Sequence, residues 1–292
     1  MAKPDFVLAY DFPGYTDVYF KQMKEEFGID KVAEPERFGI FIDHMVPVAT
    51  PKEEELHQGT RAWCAENGVE LFERRGIGHQ VAAEVGYATP GAFVVHFDGH
   101  ISQLGTFGTL GIGMRRNVLE AFVREKVSIK VPHTVRVNLH GELQKGVMAR
   151  DVFHHMVRVL GPSSCRFQVL ELGGPGIETL TTEGIQSITC LAMFTGAVTA
   201  IVNPDKERLE YALPRARKKL EPVYSDPDAE YAAVHDIDLS DLEPIVVVPP
   251  TPANTRNLSE YLGLDVQTGY LGSCASGRLE DMEIAARILE GR

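Results

Sequence analysis

The pattern that most constrains this chain is an alternation in its first half, where short apolar runs take turns with stretches of helical spacing. Phe6–Tyr10, Phe38–Ile42, Val69–Phe72 and Ala92–Phe97 have strand length. Between them, Thr16–Phe27 sets Val18, Phe20, Met23 and Phe27 at helical intervals. Pro51–Asn67 opens on a charged turn and stops before Gly68, as a helix does. Val118–Lys126 reads as another helix. This order predicts a layered α/β domain over residues 1–131.

Pro132 marks a change. Thr134–Leu139 alternates, with Val135, Val137 and Leu139 on one face, and Phe167–Leu172 reads as a second strand before the breaker Gly173-Gly174-Pro175-Gly176. Helices are expected at Asp151–Leu160, at Ser187–Ala200 (apolar and buried) and at Lys206–Leu220 (charged and exposed). Tyr224–His235 reads as a solvated connector. These elements predict a second α/β domain over 132–235. The rest, 236–292, holds a buried strand at Ile245–Val248, a Gly/Ser/Cys turn and a helix at Leu279–Leu289.

Composition narrows the function. The 292 residues carry 41 Asp+Glu against 29 Lys+Arg, a net charge of −12. That weighs against nucleic acid, whose phosphates are met by Lys and Arg. The apolar runs are far shorter than the ~20 residues of a membrane helix. The start, MAKPDFVLAYDF, has no basic segment followed by an apolar one, so a cytoplasmic location is expected. Cys64, Cys165, Cys190 and Cys274 form no CxxC, which excludes a zinc ribbon or thioredoxin-type pair.

Three His-bearing segments fall at strand ends or in Gly-rich turns: Asp43-His44, His79 in Gly76-Ile77-Gly78-His79-Gln80-Val81, and Asp98-Gly99-His100. Ligands of α/β sheets bind at the carboxyl ends of strands. An Asp beside a His orients the imidazole and stabilises its charged form. Each segment alone is also explained as a polar loop group capping a turn; three in one half-domain are harder to explain so. Cys274 sits between a turn and a helix, where a thiolate is favoured. Cys64 and Cys190 lie in apolar helical patterns and read as core, Cys165 as a loop residue, and His154-His155 as surface. The glycines from Gly105 to Gly113 match neither a Walker A loop nor a dinucleotide fingerprint, and read as positions of close backbone packing.

Taken in order, these segments resemble the aconitase superfamily. Phe41-Ile42-Asp43-His44-Met45-Val46-Pro47 resembles its FDHxVP, and Gly76–Val81 its GICHQV. Pro90-Gly91, Asp98-Gly99-His100 and Gly105–Gly113 follow its PG…DSHT…G-rich order. Thr134–Val137, Gly141, Gly146-Val147 and Ala149–Val152, then Asp236–Pro244 and Gly272–Arg278 (family GSCTNGR), continue it. Within the superfamily the similarity is to large subunits of two-subunit hydro-lyases such as 3-isopropylmalate dehydratase.

The resemblance implies aconitase-like three-layer α/β/α domains, the third represented by 236–292 and cut after its first cluster cysteine. It implies a [4Fe–4S] hydro-lyase acting on a hydroxy di- or tricarboxylic acid, with a small swivel-domain subunit as partner. Asp43, His44, His79, Asp98 and His100 match its catalytic residues, Cys274 its first cluster ligand, and Tyr10, Asp11, Ser273 and Arg278 are expected at the substrate. This sequence also departs from the family. The Ser of DSH is Gly99, the Thr-Asn of GSCTN is Ala275-Ser276, the family's Asn is Cys190 and its iron-site Glu is Phe194. The other two cluster cysteines are not found, so the chain is expected not to hold a cluster unaided. Two alternatives stay open. The Asp/His set could hold one divalent metal such as zinc or iron, or the chain could be a non-catalytic paralogue that scaffolds a true hydro-lyase.

Overall fold

The computed structural model describes residues 1–11 and 16–291. Its first sheet has five parallel strands in the order β3-β2-β1-β4-β5: β1 (Phe6–Tyr10), β2 (Phe38–Ile42), β3 (Glu70–Glu73), β4 (Phe93–His96) and β5 (Leu110–Gly113). Every residue of β1 and β2 is buried. Parallel strands packed on both faces need such continuous apolar runs, which is why these two were legible to the residue. Phe6, Leu8 and Tyr10 enter one core and Val7 and Ala9 the other. On the second face lie α1 (Thr16–Glu25), α2 (Pro51–Asn67) and α4 (Val118–Arg124). On the first lie α3 (Gly78–Glu84) and a 3-10 helix, Gly99–Phe107. Helix α2 starts on a capping box, Thr50 with Glu53, and stops at Gly68 in the left-handed conformation.

The second sheet has four parallel strands in the order β8-β7-β6-β9: β6 (Thr134–His140), β7 (Val169–Gly173), β8 (Thr199–Val202) and β9 (Ala233–Asp238). Val135, Val137 and Leu139 face a core shared with α5 (Ala149–Leu160) and α6 (Thr182–Leu191), as their alternation predicts. The opposite face is polar, with Arg136 paired to Glu171.

Four expectations shift. Ser187–Ala200 is not one helix: α6 ends at Leu191, a 3-10 turn follows to Thr195, and Ala200 lies in β8. Gly196, at φ +83°, makes the break. Helix α7 (Lys206–Ala212) is shorter than Lys206–Leu220, because Pro214 cannot continue it. The end of the supposed connector is edge strand β9, which carries the second sheet past residue 235; its charged sequence hid it. Ile245–Val248 is not buried but half-exposed. Its core, β10 (Ile245–Val247), pairs antiparallel with β11 (Thr255–Asn257). Helix α8 (Leu279–Leu289) has the expected bounds.

The helix Gly99–Phe107 wedges between the sheets. Ser102 Oγ donates to the Thr189 carbonyl at 2.7 Å, and Thr199 Oγ1 to the Gly111 carbonyl at 2.6 Å. A Cβ on Gly105 would stand 1.9 Å from the Ala200 carbonyl oxygen. The Gly-rich stretch therefore serves close packing. Gly105→Ala is expected to lower stability by about 2 kcal/mol or more. Gly59→Ala, in exposed α2 with open space around it, is expected to raise it by about 0.5–1 kcal/mol. Urea midpoints check both; equal midpoints for the two variants would contradict the packing argument.

Candidate active site

Strand order places the site. Reading outward from β1, the first sheet runs to β2 on one side and β4 on the other, so the carboxyl ends of these strands border a topological switch point. Asp11 follows β1, Asp43-His44 follow β2 and Asp98 follows β4.

Asp11 is fully buried and organises the edge. Its carboxylate accepts from the backbone N–H groups of Asp43 (3.1 Å), His44 (3.0 Å) and Met45 (3.3 Å), and lies 2.7 Å from His57 Nε2. Burial opposes its charge, yet these donors together hold its carboxyl below the usual range. The expectation that Asp11 touches substrate is therefore corrected: its oxygens are occupied inside the protein. Tyr10 is corrected likewise. It is 7% exposed and packs its ring against His44, 4.3 Å between centroids, and against His96.

Asp43 Oδ1 lies 2.6 Å from His44 Nδ1, and its Oδ2 accepts from Gly78 N at 2.5 Å. A Cβ on Gly78 would meet that oxygen at 2.8 Å, so the glycine lets α3 approach. The hydrogen bond from Asp43, with Asp11 and Asp98 nearby, raises the His44 pKa; burial works against it. At the second position of α3, His79 is buried and donates Nε2–H to the Cys274 carbonyl at 2.8 Å. Burial lowers its pKa to about 4, so it is neutral at pH 7.

Asp98 Oδ2 stands 3.1 Å from His100 Nδ1, and the Asp98 backbone N–H donates to His96 Nδ1 at 2.8 Å. Burial works against a charge on His100, but Asp98 and then Cys274 push its pKa up to about 10. Asp98, despite burial, is held well below the usual carboxylate range, chiefly by His100. The His100 and His79 rings lie 5.4 Å apart. Cys274 Sγ lies 3.8 Å from His100 Nδ1, and this contact lowers its pKa.

The turn carrying Cys274 is bolted down from both domains. Arg278 donates to Gln80 Oε1 (2.5 Å), Gln103 Oε1 (3.0 Å), Gln186 Oε1 (3.2 Å) and Ser187 Oγ (3.4 Å). These bonds fix the turn, and Arg278 also lines the cleft beside it. Ser273 is exposed, and its hydroxyl accepts from Ser276 N and from Arg150. Ser273, Cys274 and Arg278 border a cleft of about 400 Å³ with Ile77 and Gln80. A larger hollow lined by Met114, Lys130 and Phe167 lies elsewhere, and neither it nor the cleft beside Cys274 is lined by the Asp–His pairs.

Several residues escaped the sequence reading. His57 and Arg150 sit on helices with nothing local to single them out. His96 is buried in β4, and its Nε2 has no partner among the described residues. Cys190 is core, as expected, but also lies under the site, its Sγ 3.8 Å from His79 Nε2. His154 is not surface: its Nδ1 is buried, and burial takes its pKa to about 4. The five Asp/His residues do not form one donor set. His79, Asp98 and His100 form one group, and Asp43 and His44 form another together with Asp11.

A cluster held by three thiolates needs three sulfurs around one point. Cys274 is exposed at the cleft, while Cys64 and Cys165 are buried in separate cores and Cys190 lies beneath His79. The four cysteines do not supply such a set.

Residues 21–263 match the Aconitase family (aconitate hydratase). The chain is 34% identical to the 3-isopropylmalate dehydratase large subunit 1 of Methanopyrus kandleri, across all of this chain and 70% of that protein. It is 34% identical to the probable methanogen homoaconitase large subunit of Methanosarcina mazei (100% and 75%) and 31% identical to the 3-isopropylmalate dehydratase large subunit of Aquifex aeolicus (99% and 67%). No helix among the described residues is long and apolar enough to cross a membrane.

Two outcomes follow from the charges. The His100 ring should stay protonated across neutral pH and lose its proton only near pH 10, while Asp98→Asn should bring that midpoint down toward the ordinary histidine range; NMR titration reads both. Cys274 should be alkylated by iodoacetamide at pH 7 faster than an ordinary thiol. His100→Ala should slow it, and an unchanged rate would contradict the contact.

Proposed function

Because the chain belongs to the aconitase family, we propose that it is the large, core-type subunit of a hydro-lyase. The reaction is dehydration, hydration or isomerisation of a hydroxy di- or tricarboxylic acid. The observation that carries the reading is the set of contacts at the strand ends: Asp43 with His44, His79 with the Cys274 carbonyl and with the His100 ring, and His100 with both Asp98 and Cys274.

Elimination of water needs an acid for the leaving hydroxide and a positive field for the carboxylates. His44, oriented by Asp43, is the acid. Asp43 favours its protonated form, and it is 40% exposed, so a substrate hydroxyl can reach it. His100 remains a cation across neutral pH and supplies local positive charge in a chain of net −12. His79, neutral, fixes the Cys274 turn through its N–H. Family members normally carry an iron–sulfur cluster, whereas these four cysteines do not converge on one point.

The relatives named large subunits belong to two-chain enzymes. A small swivel-domain subunit is the proposed partner here, supplying the base and the substrate-binding arginines. The cytoplasm is the proposed location.

The test is hydratase assay of this chain with candidate small subunits, following the unsaturated acid by its ultraviolet absorbance. His44→Ala and Asp43→Asn are expected to lower kcat by roughly 10²–10⁴-fold, with little change in stability for the half-exposed His44. Activity of the wild-type chain should fall as pH rises through the raised His44 pKa, since the acid loses its proton there. Undiminished turnover in His44→Ala would remove the assigned acid.

A further inference from the structure

A hollow of about 1020 Å³ opens where the two sheets are joined. The first sheet contributes Ile112 of β5, the linker between α4 and β6 contributes Ile129 and Val131, and the second sheet contributes Phe167 and Val198, just ahead of β7 and β8. The polar lining is Arg115, Asn117, Lys130 and His133, with no acidic residue and no hydroxyl. In a chain of 41 Asp+Glu against 29 Lys+Arg, charged lining of only one sign runs against the composition. Lys130 is exposed and forms no ion pair among the described residues. Two lining residues, Arg115 (φ +48°) and Phe167 (φ +59°), have left-handed backbone, a region that disfavours a bulky side chain. Phe167 is fixed there: its N–H donates to the Gly196 carbonyl at 3.0 Å, and the Gln168 N–H to the Cys165 carbonyl at 2.9 Å. Its ring is nevertheless 71% exposed, and Val131 is 83% exposed. Folding gains little from an aromatic ring held out into water on an unfavourable backbone, and such strain collects at binding sites.

We propose that this hollow binds an organic monoanion with an apolar body, an aliphatic or aromatic carboxylate. The body lies against Phe167, Val131 and Ile112, and the carboxylate turns toward Lys130 and Arg115. Small-molecule sites are concave, ~300–1,000 Å³ in volume, mostly apolar with a few polar groups, and favour the junction of two domains; this hollow has each property. A sugar would find one amide and no hydroxyl or carboxylate to bond. A hydroxy di- or tricarboxylic acid would press its additional carboxylates against apolar walls, so the ligand differs in class from the substrate proposed above. The hollow is separate from the Asp–His pairs yet adjoins their edge. Gly113 lines it, and a Cβ on Gly113 would stand 2.8 Å from the Asp98 carbonyl oxygen.

The test uses the full chain and three probes of one length, octanoate, 1-octanol and octylammonium, each titrated by calorimetry. The expected result is one octanoate per chain, bound about fivefold or more tighter than octylammonium, with octanol between them. Lys130→Glu should weaken octanoate about fivefold or more and leave octanol unchanged. Phe167→Asn, which tolerates a left-handed backbone, should weaken both octanoate and octanol about tenfold while keeping the wild-type urea midpoint or raising it. His44→Ala should bind octanoate as the wild type does. The proposal is overturned if octanoate does not bind, if octylammonium binds as tightly, or if Lys130→Glu and Phe167→Asn bind undiminished. Loss of octanoate in His44→Ala would place the anion at the Asp–His pairs and overturn it too. Sedimentation of the chain with phosphatidylglycerol vesicles, without binding of free octanoate, would assign the hollow to a membrane surface instead.

Discussion

The active edge depends on one buried carboxylate. Asp11 leaves β1 with no exposure and is met by three consecutive backbone N–H groups, from Asp43 to Met45, and by His57 from α2. A buried charge is tolerated only when hydrogen bonds replace its water. The chain here replaces it with the backbone that leads out of β2. That backbone is thereby fixed, and with it the Asp43–His44 pair. Loss of any donor would leave the carboxylate under-paired at a cost of several kcal/mol at most sites of this kind. The strand end, the loop and α2 consequently behave as one unit.

Around that edge, similar side chains acquire different charges. His79 and His100 have rings 5.4 Å apart, yet one is neutral and the other cationic at pH 7. His79 is buried without a carboxylate bonded to it, so desolvation prevails. His100 has Asp98 and Cys274 beside it, and they outweigh the same penalty. A cleft that holds a neutral imidazole, an imidazolium, a carboxylate and an activated thiol is furnished for acid–base chemistry on an anionic molecule. The protein's overall negative charge makes this local cation, with Arg278 and Arg150 nearby, matter more.

The departures from the family are mutually consistent in space. Gly99, where the family has serine, accommodates Met193. Cys190, where it has asparagine, lies beneath His79. Phe194, where it has glutamate, is left half-exposed. Gly99 lies within the Asp98–His100 segment and Cys190 beside His79, while Asp43-His44 keeps the residues of the family's motif.

The sequence by itself determined the apolar strands β1 and β2, the capped helix α2, the alternating face of β6 and the three His-bearing segments. Each is encoded within a few adjacent residues, through burial on both faces, a cap, a period of two or a strand end. It did not determine β9 or the split of Ser187–Ala200. An edge strand with charged residues lacks an apolar period, and Gly196 breaks a run that composition leaves continuous. Nor did it determine the roles of Tyr10, Asp11 and Arg278. A carboxylate or guanidinium near a site has the same local sequence whether it binds a ligand or the protein's own backbone. Only the tertiary structure decided that. It brought His57, Gln80, Gln103 and Gln186 to these groups from distant parts of the chain, and it gathered Asp43 and His44 around Asp11 and set His79, Asp98 and His100 together beside Cys274.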